Sequence, residues 1–265
     1  MKNRIIFLSL MATALLVASG CRFGTLDTGP TETEERSIEL GGAESINAVI
    51  TIGAGELRLN GGEQNLLDAT FTYNVADWQP EVSYAVNNGS GDLEIRQPDT
   101  EIQDSIPADF NDVVYEWDLR LGGDAPIDLR VNMGAGEGDL DLRGAPVEQL
   151  RFQGGAGQVS IAASPAMMHD LDVRLGAGEV ELDLSGDWAQ DLRGDIQGGV
   201  GQLTVLLPAA AGVRVDVQGG LGSINASGLN QEGNTFTNDA YGDAAVSLEL
   251  DIQGGVGEIV LRVVE

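Results

Sequence analysis

Aliphatic and polar residues alternate in short runs along most of this chain. Val159 and Ile161 are followed, after a loop through Pro165 and His169, by Leu171, Val173 and Leu175. Val180, Leu182 and Leu184 come next, then Leu192 and Ile196, then Leu203, Val205 and Leu207, then Val213, Val215 and Val217. Glu179, Glu181 and Asp183 fall between the aliphatic positions of their run. A period of two with one apolar side predicts β-strands that bury one face and wet the other.

Gly-x-Gly steps separate these runs. Eight copies occur, with second glycines at Gly55, Gly91, Gly136, Gly157, Gly178, Gly201, Gly222 and Gly257. The middle intervals are 21, 21, 23 and 21 residues, and the last lengthens to 35. A fixed period of that size predicts stacked supersecondary units. Two short strands per coil, the same apolar positions in successive coils and a glycine corner between them describe an all-β solenoid. Corner glycines permit positive φ and a close backbone approach that a Cβ would block. A sandwich of hairpins is the competing arrangement if these corners are β-turns.

The regular part runs from about residue 119 to 265. Residues 66–117 differ: they hold Phe71, Tyr73, Trp78, Tyr84, Phe110, Tyr115 and Trp117, seven of the chain's 13 aromatics. That predicts an aromatic cap at the N-terminal end of the stack. Residues 227–246, with Asn-rich turns and Tyr241, read as an insert folded over one side or the end.

The first 20 residues are an export signal. Lys2 and Arg4 form a positive start, Ile5 to Val17 is an apolar run too short to span a bilayer, and Ala18-Ser19-Gly20 precedes Cys21, the one cysteine. This resembles a bacterial lipobox, with Ala18 where that pattern prefers Leu. The resemblance implies cleavage before Cys21, diacylglycerol on its sulfur and a stable membrane anchor. Arg22 is not the aspartate that retains lipoproteins at an inner membrane, so a two-membrane host would place the protein at its outer membrane. Residues 21–44 are polar and read as a flexible tether.

Charge narrows the partners. The chain has 42 acidic against 14 basic residues, a formal net charge of −28, and Lys2 is its only lysine. Nucleic acid is excluded as a partner, because phosphate affinity needs a basic surface. Unaided adhesion to anionic lipid is excluded on the same ground. A catalytic lysine cannot exist after signal removal.

The segments Leu66 to Asn74 and Asp77 to Tyr84, with Ile50 to Leu57 and Leu129 to Gly138, resemble the toast-rack N-terminal domain family over about residues 45–142. The later repeats over 143–265, notably Val217 to Asn225 and Gly254 to Ile259, are similar to the C-terminal domain of cell-wall-antibiotic response proteins and to adhesin β-solenoids. The resemblance implies a β-rich, non-catalytic envelope domain, in some relatives a modulator of a stress-sensing kinase. It carries over no catalytic residue.

The residues themselves offer little chemistry. Asp139, Asp141, Asp170, Asp172 and Arg174 could form a lyase-like cluster on one face, with Phe152, Trp188, Phe236 and Tyr241 as the available sugar platforms. His169, the only histidine, lacks partners for a triad and reads as a surface loop residue. Glu56, Glu137, Glu179 and Glu258 follow corner glycines and could line up toward calcium, but Gln158, Gln202 and Ser223 interrupt them. No cofactor and no metal are expected. The reading is a lipid-anchored, non-enzymatic binding or scaffold module whose partners are the membrane, through the anchor, and an envelope protein or glycan. An envelope-stress accessory role and a polysaccharide-active β-helix are the alternatives.

Overall fold

A computed structural model describes residues 28–98, 112–163 and 166–264. The signal segment and Cys21 lie outside the described residues. No described helix is long and apolar enough to cross a membrane.

The alternating runs form strands β1 (Glu32–Ile38), β2 (Ser45–Glu63), β3 (Leu67–Tyr73), β4 (Glu81–Asn87), β5 (Ser90–Arg96), β6 (Tyr115–Gly122), β7 (Ile127–Asp141) and β8 (Val147–Ala162). They continue with β9 (Asp170–Asp183), β10 (Leu192–Pro208), β11 (Gly212–Gln218), β12 (Leu221–Ser227), β13 (Asn230–Glu232), β14 (Thr235–Thr237), β15 (Ser247–Gln253) and β16 (Val256–Val264). Among the described residues a single 3-10 turn, Ala76–Trp78, interrupts them.

β2, β7, β8, β9 and β10 each run through a Gly-x-Gly step. In β9 the buried positions are 171, 173 and 175 before the step but 180 and 182 after it. The extra residue at the corner shifts the alternation, so both arms turn their aliphatic side inward. Neighbouring coils pair in parallel and in register, as β8 does with β9 from Gln149↔Asp170 to Ala162↔Asp183. Parallel pairing between coils is the solenoid arrangement; stacked hairpins would be antiparallel. One aliphatic core runs from Ala43 to Leu261 with no break near residue 142.

Chain order and stacking order part at both ends. The coils stack as β5/β6, β2, β7, β8, β9, β10, β15/β16 and β11/β12. The first coil, β2, is therefore second from one end, and the last, β15/β16, is second from the other. Each terminal coil gains pairing on both edges, which a coil at the end of the stack would lack.

Two expectations change. The tether is shorter than residues 21–44, because Glu32–Ile38 pairs antiparallel with β3. Its side chains are exposed or half-buried, so no apolar alternation announces it; backbone pairing to partners from Leu67 to Tyr73, far along the chain, makes it a strand. Gly89-Ser90-Gly91 is not a corner. Asn88 (φ 51°) and Gly89 (φ 85°) form a two-residue hairpin turn between β4 and β5. Gly91 lies inside β5 opposite Ile46, where a Cβ would sit 2.6 Å from the Ile46 Cδ1.

Candidate functional site

The corners stack into one ridge along the whole body. In spatial order its glycines are Gly55, Gly136, Gly157, Gly178, Gly201, Gly257 and Gly222. A Cβ on Gly157 would lie 1.9 Å from the Gly136 carbonyl oxygen, and Gly157 has φ +148°. Both facts require glycine there. Gly222 differs, being constrained by proximity to the Gly257 carbonyl oxygen and not by φ.

The middle residue of each step forms the ridge crest. It reads Ala54, Ala135, Ala156, Ala177, Val200, Val256 and Leu221 in spatial order. Over the last three coils the crest changes from alanine to bulky aliphatics. Val200, Val256 and Leu221 are 59%, 50% and 77% exposed, and Ile224 beside them is 42% exposed. These are adjacent strands about 4.8 Å apart, so the side chains form a contiguous apolar strip.

The flanking rows change character along the same axis. On the arm after the corner, the first row reads Glu56, Glu137, Gln158, Glu179, Gln202, Glu258 and Ser223. Arg58 pairs with Glu56 at 2.8 Å, and the Gln158 amide donates to Glu179 at 3.5 Å. Amides therefore separate most of the carboxylates that were candidates for a calcium ladder. Among the described residues no three His, Cys, Asp or Glu side chains come together to hold a metal. A groove of about 460 Å³ over this arm is lined by Glu137, Asp139, Glu179 and Glu181 among others. From β10 onward the row two residues further on is neutral, with Thr204, Val260 and Asn225.

The other arm carries Asp172, Asp195, Asp251 and Asp216 side by side in adjacent strands. Arg174 pairs with Asp172 at 2.8 Å and Arg214 with Asp216 at 2.9 Å. The lyase-like cluster is not assembled. Asp139 and Asp141 follow the corner of β7, whereas Asp170, Asp172 and Arg174 precede the corner of β9, so the two sets occupy different arms. Arg143 donates to Asp141 and holds its carboxyl below the usual carboxylate range, with backbone hydrogen bonding from Arg143 adding to the effect. Phe152, Phe236 and Trp188 are buried in the core and offer no sugar platform. His169 is exposed, and its backbone bridges Glu148 and Arg193.

Beneath the bulky end of the crest the core is incompletely filled. Ile52, Met133, Gly154, Leu175 and Gly198 occupy one inward row, and at the next two strands Gly254 and Gly219 follow the paired Gln253 and Gln218. A cavity of about 90 Å³ remains, lined by Leu175, Val180, Ile196, Leu203, Ile224 and Ile259. No aliphatic run in the sequence signals this, since the signal is an absence of side chain in a row visible only after stacking.

The chain belongs to the family described as N-terminal domain of toast-rack, DUF2154, which matches residues 27–167 and 162–206. The match extends beyond the 45–142 stretch whose motifs resemble it. A crystal structure from Clostridium sporogenes, of a protein provisionally named for cell adhesion, is 31% identical, covers 88% of this chain and 100% of its own, and has a TM-score of 0.69. A protein from Bacteroides fragilis, provisionally named an adhesin, is 11% identical over 87% of this chain and 96% of its own, with a TM-score of 0.32. One from Parabacteroides distasonis, provisionally named for lipid binding, is 9% identical over 91% of this chain and 100% of its own, again at 0.32. No curated protein matches the chain.

Proposed function

We propose that this protein is a non-enzymatic adhesive module of the bacterial envelope, exported and held at a membrane by lipid on Cys21. The observation that carries the reading is the likeness, over nearly the whole body, to the Clostridium sporogenes protein named for cell adhesion. The apolar crest at Val200, Val256 and Leu221 supports it, because exposed aliphatic strips on an acidic body mark interaction surfaces. Scattering of the acidic residues over two arms supports binding over catalysis. The export signal over residues 1–20, with Cys21 directly after it, supports the anchor.

Two measurements test the reading. A clickable palmitate analogue fed to cells labels the wild-type protein and leaves Cys21→Ser unlabelled; label on both, or on neither, would refute the anchor. Cells lacking the protein attach to surfaces or to each other less than the parent, and reintroducing it restores attachment; unchanged attachment would count against adhesion.

A further inference from the structure

We propose that β12 is a homotypic docking edge, where two copies of this chain pair antiparallel about a two-fold axis through Ile224. β12 pairs with β16 on one side only. All seven of its residues are exposed, and none of Leu221-Gly-Ser-Ile-Asn-Ala-Ser227 is charged.

Sheet edges template unwanted pairing unless charge, cover or shortness defends them. The other edges among the described residues have such defences. β1 carries Glu32, Glu34, Glu35 and Arg36. β4 carries Glu81, and the chain at Leu40 and Gly41 comes against its Tyr84 and Val86 side chains, the Leu40 carbonyl accepting from the Tyr84 hydroxyl at 2.7 Å. β13 is three residues long. At the end containing β12, the hairpin β13–β14 covers the neighbouring arm by pairing with β11; it leaves the edge of β12 unpaired, with Leu229 and Gln231 flanking a groove beside Ile224 to Ser227.

Charge selects the occupant. A body of formal charge −28 repels its own copies, so a second copy can approach only where charge is locally absent. β12 has none, and the nearest charges across it on β16, Glu258 and Arg262, are of opposite sign. A cationic peptide would be drawn instead to Glu137, Asp139, Glu179 and Glu181 on the acidic arm. Self-pairing about Ile224 sets Leu221 opposite Ser227, Gly222 opposite Ala226 and Ser223 opposite Asn225. No like charges meet, and the contact is isologous, as a two-fold requires. One strand pair is smaller than the roughly 1,200–2,000 Å² of a standard interface, so each contact is weak and many copies on a surface act together.

The direction of the edge gives the contact a use, and this part alone rests on the anchored reading above. β12 is in the last coil of the stack, while Thr28 and β1 are at the first. Eight coils at about 4.8 Å per step separate them by ~34 Å. A chain held at Cys21 points β12 away from its membrane, so copies on facing membranes meet end to end.

The test uses full-length protein in vesicles and in detergent. Ile224→Cys forms a covalent dimer on mild oxidation whose disulfide maps to residue 224 and not to Cys21 by peptide mass spectrometry, because the two-fold places residue 224 beside its mate. Leu221→Cys does not, since antiparallel pairing leaves the two copies of residue 221 roughly 20 Å apart at about 3.3 Å per residue. Ile224→Lys weakens self-association at least tenfold and leaves vesicles dispersed, with the β-sheet circular dichroism spectrum retained. No dimer from Ile224→Cys, or equal dimer from both cysteine variants, would overturn the pairing. Protein that floats with vesicles without dimerising refutes the pairing and leaves the anchor standing. Protein that dimerises through residue 224 without floating upholds the pairing and refutes the anchored orientation.

Discussion

The two ends of this stack solve the same problem differently. A solenoid must cover the apolar interior of its last coil or leave it to another molecule. The N-terminal end is closed by rings. Trp117 and Phe71 meet edge to face with centroids 5.4 Å apart, Trp78 and Tyr115 likewise at 5.3 Å, and all four are buried. The Tyr115 hydroxyl donates to the Trp78 carbonyl at 2.8 Å. Asn74 ties the closing strands together, accepting from the Val114 backbone N–H at 2.9 Å and donating to the Asp112 carbonyl at 2.6 Å. The C-terminal end closes one arm in the same manner, with Phe236 buried over β11 and Asn238 serving the turns. The other arm stays open. Closure at one end and a half-open coil at the other set the two ends apart along a single axis.

Breaking the closed end has the largest expected effect. Trp117→Ala removes the largest fully buried side chain and lowers stability by about 3–5 kcal/mol, read by chemical denaturation. On the covered arm of the C-terminal end, Asn238→Ala strands the Val213 N–H and the Ala211 and Pro208 carbonyls, at about 2–3 kcal/mol, with the loss confined to melting of the C-terminal coils.

Alkali distinguishes the ends by chemistry. Burial raises the Tyr115 phenol well above its ordinary value, and burial also raises Tyr73 and Tyr84 in the same region. The folded chain keeps these protons after the unfolded chain begins to release them near pH 10, so stability is intact below that pH and falls as pH rises beyond it. Tyr115→Phe should flatten this slope in denaturation curves taken between about pH 9 and 11.

The open end should respond in the opposite sense. A Cβ on Gly198 meets nothing within 4 Å, so Gly198→Leu extends the Leu175 row into the cavity and stabilises by about 1 kcal/mol, seen as a higher melting temperature. Leu221→Ser, at the exposed tip of the crest, changes stability by less than about 0.5 kcal/mol while reducing adhesion. Equal losses for Trp117→Ala and Leu221→Ser would erase the distinction between the ends.

Much of this architecture is legible in the order of residues alone. The alternation around Leu171 to Leu184 specifies strands with one inward side. The spacing of Gly136, Gly157, Gly178 and Gly201 specifies stacked corners, because only glycine tolerates that backbone approach. Gly91 misleads, since a hairpin turn with its own glycine produces the same Gly-x-Gly text. Glu32–Ile38 is invisible for the converse reason: an edge strand with no buried face has no pattern to show. The crest is readable in principle, as Ala, Ala, Ala, Ala, Val, Val, Leu, but only if the copies are placed in spatial order.

The amino-acid sequence determined the local decisions of this protein: strand, corner, inward side and an acidic surface, each set by residues within one coil. Tertiary structure alone decided which coils lie at the ends, that the terminal coils sit one place in from them, and that β12 keeps a free edge. Those outcomes depend on competition among strands far apart in the chain for the same backbone hydrogen bonds, and no local window records which pairing wins.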